Sequence, residues 1–474
     1  MKPLNYRHLL QITLETTAPL QIGSGEKSIK TDSLIVRDVN GLPFIPGTTL
    51  AGLMAHALGT EKESLMGSQE GGSRLIVTEA KLVGKDGIVL DGLVDRTQLA
   101  EDFLKHYDRL PIRQHVSINA KGTAKDAGKF DEEVVLKGSR FCFELELMSD
   151  KDASTDINAL LDIIQSPTFR IGSGSRSGFG EIKVVKCLQR KIDLTQKADR
   201  VLYLDKSSKL ESSKEVWQVK KITSEKQQVC EGWTTYHLSL TPEDFILFGS
   251  GFGDDSGDAD ITYVREAFIK WNEDKGELVN QEKAILIPAT SVKGALSHRT
   301  AFHYNRLTNA VIKEDGTLAN KGDINSVTGQ NNAAVRAIFG FAGNENDKQR
   351  GNILISDVIN EIKPTTKPKI LNHVSIDRFT GGAIDGALFH EQTLYAKGET
   401  IEIDILVADK AFEGEDKNIQ EAFEAALADV ASGMLPLGGG VNRGNGIFTG
   451  KVTKNINNIK YIYNKENKTW EKLV

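Results

Sequence analysis

The chain is poor in cysteine and proline, and it lacks any long apolar run. Of its 474 residues only three are Cys (Cys142, Cys187, Cys230) and 11 are Pro. Three scattered thiols build no disulfide framework, and no Cys/His cluster has the spacing of a structural zinc site, so a reduced, cytoplasmic setting is expected. The opening residues, MKPLNYRHLLQITLETTAPL, have no continuous apolar stretch of the kind a secretory signal needs. Nothing approaches the apolar length that spans a bilayer, so no membrane partner is expected. A basic excess is missing too: 59 Lys and Arg stand against 65 Asp and Glu, a net charge of −6. That excludes a surface that is basic all over, as in proteins that coat nucleic acid. It does not exclude a local basic groove, because total charge says nothing about its distribution.

What the chain has is an ordered internal repeat. LQIGSG (20–25) leads to TDSLIVRD (31–38), as ILFGSG (246–251) leads to ADITYVRE (259–266). Both runs set an Asp five residues ahead of an Arg, Asp32 with Arg37 and Asp260 with Arg265. IPGTTLAGLMAHAL (45–58) answers IPATSVKGALSHRT (287–300). Each is followed by LMG or IFG and then a strand-like run, RLIVTEAKL or NILISDVI. The third pair begins HVSI at residues 115 and 373. The fourth is a glycine loop, GSGSRSGFG (172–180) against GGGVNRGNG (438–446). The offset grows from 226 (Leu20 to Ile246) to 266 (Gly172 to Gly438), so loop lengths differ while the order holds. Four blocks in one order mean duplication.

Periodicity gives each unit its elements. YRHLLQITLE, FCFELEL and TIEIDIL alternate apolar and polar residues as half-buried strands do. IPGTT starts a helix in which Leu50, Leu53, Met54, Ala57 and Leu58 fall at helical spacing. DINALLDIIQ and NIQEAFEAALADVAS read as amphipathic helices just ahead of the glycine loops. Strands and helices mixed in this order make an α+β, ferredoxin-like sheet with helices on one face. The expected division is 1–188 for the first unit, 189–232 for a structured connector, 233–455 for the second unit and 456–474 for a tail. The alternation in VLYLD and EVWQVKKI of the connector reads as short strands, and the tail reads as a hairpin or an arm.

The repeated blocks resemble the RAMP superfamily, and within it the backbone subunits of type III CRISPR effectors. The resemblance lies in G-x-G…D-x₄-R-[DE]…I-P-[GA]-[ST]-[ST] before a helix, in the HVSI hairpin, and in the glycine loop before a last strand. It implies two tandem ferredoxin-like (RRM-like) RAMP domains, each with an inserted thumb hairpin that wedges between guide and target. It also implies guide RNA, target RNA and other effector subunits stacked along the guide as partners. The activity implied is endoribonuclease cleavage of target RNA at thumb-induced breaks, with a divalent metal, Mg²⁺ or Mn²⁺.

By that resemblance Asp32 and Asp260 are the catalytic, metal-holding residues, with Asp258 a further metal candidate and Asp254 and Asp255 crowding the same loop. A carboxylate at a strand entry can hold a cation that offsets phosphoryl charge, although most loop aspartates are turn caps. For RNA, the second helix offers Lys293, His298 and Arg299, whose other reading is a solvated helix face. The glycine loops offer Gly172, Gly174, Gly438 and Gly440 for close backbone approach, with Arg176 and Arg443 for charge. Tight turns need the same glycines. The thumbs add Arg113, His115, Lys121 and Lys125 in the first unit, and His373 and Arg378 in the second. Phe130, Leu388 and Phe389 are the candidate wedge. Two rival readings stand: a catalytically inert guide-RNA scaffold, and guide processing by His298 or His303 as a general base.

Overall fold

Alternation along Tyr6–Thr16 becomes a strand, β1, in the computed structural model. The structure describes residues 3–473 apart from 29–30, 69–70, 119–123, 211–216, 221, 223–229, 252, 254–256, 311–323, 344–347, 364, 415, 457–458, 465 and 468. The first unit continues with α1 (Gly47–Leu58), β2 (Leu75–Val77), a hairpin of β3 (Ile112–Ile118) and β4 (Ala124–Glu133), then β5 (Arg140–Ser149), α2 (Ser154–Gln165) and β6 (Ile182–Asp193). Its sheet runs β2-β5-β1-β6, the ferredoxin-like order. Leu10, Ile12 and Leu14 of β1 stand opposite Leu145, Phe143 and Phe141 of β5. All six are buried under α1 and α2, which bury Leu50 and Met54, and Ile157, Leu160, Leu161 and Ile164. Those helical positions recur at three and four residues, so one apolar stripe meets one apolar sheet face.

The second unit has the same framework with an added hairpin: β7 (Trp233–Pro242), β8 (Ile261–Thr262), the added hairpin of β9 (Phe268–Asn272) and β10 (Lys275–Val279), α4 (Ala289–Leu307) and β11 (Ile353–Ile355). Then come a second projecting hairpin, β12 (Lys367–His373) and β13 (Phe389–Tyr395), β14 (Ile401–Ala408), α5 (Asn418–Ala431) and β15 (Phe448–Ile456). The helix labelled α3 (Lys197–Leu204) lies in the connector between the units. The second sheet has the order β11-β14-β7-β15 and gains two edge strands from the tail, β16 (Ile459–Asn464) and β17 (Thr469–Lys472). Its core gathers Tyr236, Leu238 and Leu240 with Ile403, Ile405, Val407, Phe423, Ala426, Leu427 and Val430.

The connector corrects one expectation. VLYL is helical, not a strand, and five alternating residues are too few to separate a period of 2 from one of 3.6. The helix turns Tyr203 so that its hydroxyl donates to Glu146 at 2.5 Å, and Lys206 just beyond it pairs with Glu144 at 2.8 Å. In EVWQVKKI, Gln218–Val219 is the strand among the described residues, and it pairs with β6. The connector thus lies across the face of the first sheet that carries no helices, with Leu210 buried there.

The units share a packed junction. The β9–β10 hairpin sends Ile269 and Trp271 to the first unit's core, and Trp271 Nε1 donates to the Gly138 carbonyl at 2.6 Å. Arg140 lies over the Trp271 ring, 3.9 Å from its centroid.

Candidate functional site

Asp32 and Asp260 occupy one and the same position in their units. The Asp32 amide donates to the Asp131 carbonyl at 3.1 Å, and the Asp131 amide donates back to Asp32 Oδ2 at 3.1 Å. The Asp260 amide donates to the His390 carbonyl at 2.8 Å, and the His390 amide donates back to Asp260 Oδ2 at 2.7 Å. Each Asp therefore clips the strand-entry loop onto the second strand of the projecting hairpin. Two residues further along that strand, Arg37 Nη2 donates to Glu133 at 2.8 Å and Arg265 Nη2 donates to Gln392 at 2.5 Å. The Asp-x₄-Arg spacing is what lets one extended segment grip the hairpin twice. This register identifies Asp260 as the counterpart of Asp32. Asp258 is exposed nearby, and Asp254 and Asp255 lie outside the described residues.

Both aspartates are exposed, with one carboxylate oxygen in the clip. Beside Asp32 lies a second acid, Asp131, whose Oδ1 is buried without a hydrogen-bond partner among the described residues. At the matching place in the second unit is His390, whose Nδ1 sits 2.8 Å from Asn372 Oδ1. Sequence reasoning missed both residues, because the spacing between them and the aspartates is set by hairpin length. Among the described residues no group of three or more His, Cys, Asp or Glu side chains is gathered for a metal ion. One or two carboxylates with the remaining positions left to water suit Mg²⁺, and the exposed Asp32, with Asp131 beside it, would supply them.

The hairpin roots match as well. His115 stacks on Phe130 with centroids 4.8 Å apart, and His373 on Phe389 at the same 4.8 Å. A carboxylate flanks each imidazole, Glu132 at 3.4 Å and Glu391 at 3.8 Å. Burial, then the Arg113 charge, pushes the His115 pKa down, while burial pushes the Glu132 carboxyl up. Phe130 and Phe389 are thus engaged by their histidines at the roots. The apolar surface of the second hairpin lies at its tip, where Phe379 is 98% exposed beside Val374, Ile376, Ile384 and Leu388. Asp377 holds this tip by accepting from the amides of Phe379 and Thr380 at 2.9 and 2.7 Å. Arg378 is exposed on it. Lys121 lies outside the described residues, as does the side chain of Lys125.

Arg113 does not border the first hairpin's tip. It is buried at the root, where Nε lies 2.5 Å from Glu266 and Nη2 3.0 Å from Asp357, both carboxylates of the second unit. Buried between two carboxylates, this guanidinium is engaged within the chain and is not set out on a surface, unlike the tip position expected for an RNA contact. Other expected contacts are engaged within the chain. Arg176 donates to the Gly351 carbonyl at 2.9 Å, and burial brings its pKa down to about 10. Lys293 donates to the Arg176 carbonyl at 3.0 Å, and burial brings its pKa down to about 8. Arg443 pairs with the buried Glu391. Arg299 and His303 both meet Asp429, at 2.5 and 2.7 Å. Burial alone would raise that carboxyl, but the two partners hold it low. His303 is buried, whereas His298 is exposed.

The glycine loops are close-packed. A Cβ at Gly172 would strike the Gln21 carbonyl, and one at Gly438 the Leu247 carbonyl. Gly174 and Gly440 face Phe179 and Asn445 in the same way. The neighbouring amides use the same acceptors, Ser173 to Gln21 at 2.8 Å and Gly439 to Leu247 at 2.6 Å. The recurrence of these glycines follows from backbone lying against backbone.

Comparison with known proteins agrees with the repeat. The RAMP superfamily profile matches residues 13–183 and 240–449, one stretch in each unit. No curated protein matches the sequence. Among solved structures, one described as the cryo-EM structure of the Type III-B Cmr-beta bound to cognate target RNA is similar at 17% identity and a TM-score of 0.29. The likeness covers 40% of this chain and 62% of that one, under two thirds of its length.

Proposed function

The chain belongs to the RAMP superfamily, and from that premise we propose that it is an RNA-binding backbone subunit of a type III CRISPR effector that cuts target RNA at two places. The observation that carries this reading is the identical seating of Asp32 and Asp260, each an exposed carboxylate tied to the root of a projecting hairpin. Guide and target RNA are the partners, held through shape and phosphates while base pairing reads sequence. The exposed apolar tip around Phe379 supports a wedge that opens the duplex. Unstacking at the wedge would free the 2′-hydroxyl to line up with its own phosphate, so positioning supplies much of the rate. A divalent cation held by Asp32, with Asp131 beside it, and by Asp260 would offset charge on the phosphate. The chain's own residues set the place: the clip fixes each carboxylate, and Arg37 and Arg265 fix the strand that carries it.

An inert scaffold is the second reading, favoured by the clip itself, since a hydrogen-bonded Asp at a strand entry has a structural use in both units. A target-cleavage assay on the assembled effector separates the two. Asp32→Ala and Asp260→Ala should each remove one product, and the double variant both. If all three variants cut like the parent, the scaffold reading stands.

A further inference from the structure

The two candidate sites share a frame and differ in one chemical group. Along β13 side chains alternate between faces. Phe389 and Glu391 turn inward, where Phe389 stacks on His373 and Glu391 is fully buried. His390 between them therefore stands on the open side, directly across from the exposed Asn372 of β12. In the first hairpin the same register sets Asp131 across from Gln114. Each strand-entry carboxylate accepts from the amide of one residue, Asp131 for Asp32 and His390 for Asp260, and that residue's side chain is the group the hairpin adds beside it. The first site offers oxygen alone, whereas the second offers oxygen and nitrogen.

His390 is held ready for such a use. Its Nδ1 lies 2.8 Å from Asn372 Oδ1, and an amide oxygen only accepts. The ring proton is therefore on Nδ1, and Nε2 carries the lone pair. Among the described residues Nε2 has no partner. Histidines that bind metal donate the opposite ring N–H to a fixed acceptor in the same way. The neighbouring imidazoles are placed otherwise: His115 and His373 are stacked on phenylalanines, with carboxylates at their Nε2 atoms.

We propose that His390, through Nε2, is a protein ligand beside Asp260 for the divalent cation of the second site, with Asn372 as its positioning residue. The two sites then select different ions. Mg²⁺ takes oxygen ligands and keeps its water, which suits Asp32 and Asp131. An imidazole nitrogen favours later first-row ions, Co²⁺ and Ni²⁺ among them. The inference rests on the proposed function for the presence of a cation and goes beyond it in the ligand and the selectivity.

The test uses the assembled effector with ¹⁵N-histidine in this chain and Mn²⁺ as the probe ion, read by electron spin echo spectroscopy. A ¹⁵N coupling to Mn²⁺ is expected in the parent and in Asp32→Ala, and is expected to vanish in His390→Asp. Asn372→Ala should weaken Mn²⁺ binding at that site about tenfold or more. Replacing Mg²⁺ by Co²⁺ should raise the share of the second cleavage product several-fold in the parent but not in His390→Asp, which has the donor set of the first site. The first product, retained by His390→Asp, shows that the variant is folded. No ¹⁵N coupling, or a coupling that survives His390→Asp, overturns the assignment. So does a product share that fails to move in the parent or moves equally in the variant. A parent that shows the coupling yet cuts at neither place would instead defeat the proposed function and leave the ligand standing, so the two failures are distinct.

Discussion

The His390 amide donates to the Asp260 carboxylate at 2.7 Å, so the second candidate catalytic group is also a structural cap. The two duties separate by substitution. Asn keeps an oxygen that accepts from the amide and removes the charge, whereas Ala removes both. Asp260→Asn should melt within a degree or two of the parent, because one retained neutral hydrogen bond replaces a charged one. Asp260→Ala should lose about 0.5–1.5 kcal/mol. Both should abolish the second cut if the charge is what matters. An Asn variant that cuts at the parental rate would reduce Asp260 to its cap. The same pair of variants at Asp32 tests the first unit.

Arg113 holds two units together. Its guanidinium is flanked by Glu266 and Asp357, and Arg113→Met leaves both acids buried without a cation. Removing one partner of a buried ion group costs about 3–5 kcal/mol. The variant should unfold at clearly lower urea concentration, while target affinity per folded molecule stays unchanged. A variant as stable as the parent but weakened toward RNA would restore Arg113 as an RNA contact.

Two acids against one guanidinium leave an unbalanced buried charge. Burial, partly offset by Arg113, raises the Asp357 pKa to about 6. The unfolded value is near 3.9, so between about pH 4 and pH 6 the folded chain keeps a proton that the unfolded chain has released. The stability this group contributes is full below that window and is lost as pH rises through it. Asp357→Asn removes the titration while its side-chain oxygen can still accept from the Ala289 amide. The stability of the variant relative to the parent should therefore improve from about pH 4.5 to pH 7. Urea midpoints at both pH values check this, and a difference that stays constant or moves the other way refutes it.

The framework of each unit could be read from the sequence because its signals are local. The alternation in β1 and β14 and the helical stripes of α2 and α5 lie within about a dozen residues of one another. The repeat then paired Asp32 with Asp260, although the crowded acids around 254–260 left the register open until backbone pairing with His390 resolved it. What could not be read depends on distant partners. Arg113 meets residues 153 and 244 positions away (266 − 113 and 357 − 113), and nothing in HVSI announces that its neighbour is buried. Arg176, Arg299 and Arg443 looked like phosphate ligands because charge was visible and their acceptors, Gly351, Asp429 and Glu391, were not. VLYL failed for the opposite reason: its local pattern was too short to carry a period.

Phe379 stands apart from those residues because it is almost wholly exposed. Phe130 and Phe389, two of the three wedge residues that sequence suggests, are stacked on histidines, whereas the third, Leu388, is exposed at the tip and Phe379 is 98% exposed on a tip ordered by Asp377. A solvated phenylalanine contributes little to folding, so Phe379→Ser should change stability by no more than about 0.5 kcal/mol. If the ring stacks on a base of the opened duplex, about 1–3 kcal/mol of binding goes with it. At tenfold per 1.4 kcal/mol, target RNA should bind roughly 5- to 150-fold more weakly to the assembled effector. The cut assigned to Asp260 should fall with it, and the cut assigned to Asp32 should not. Titration of labelled target RNA, read beside a melting curve and the product ratio, decides the point. Unchanged affinity with an unchanged ratio would mean that the second hairpin opens the duplex by other contacts, or does not open it.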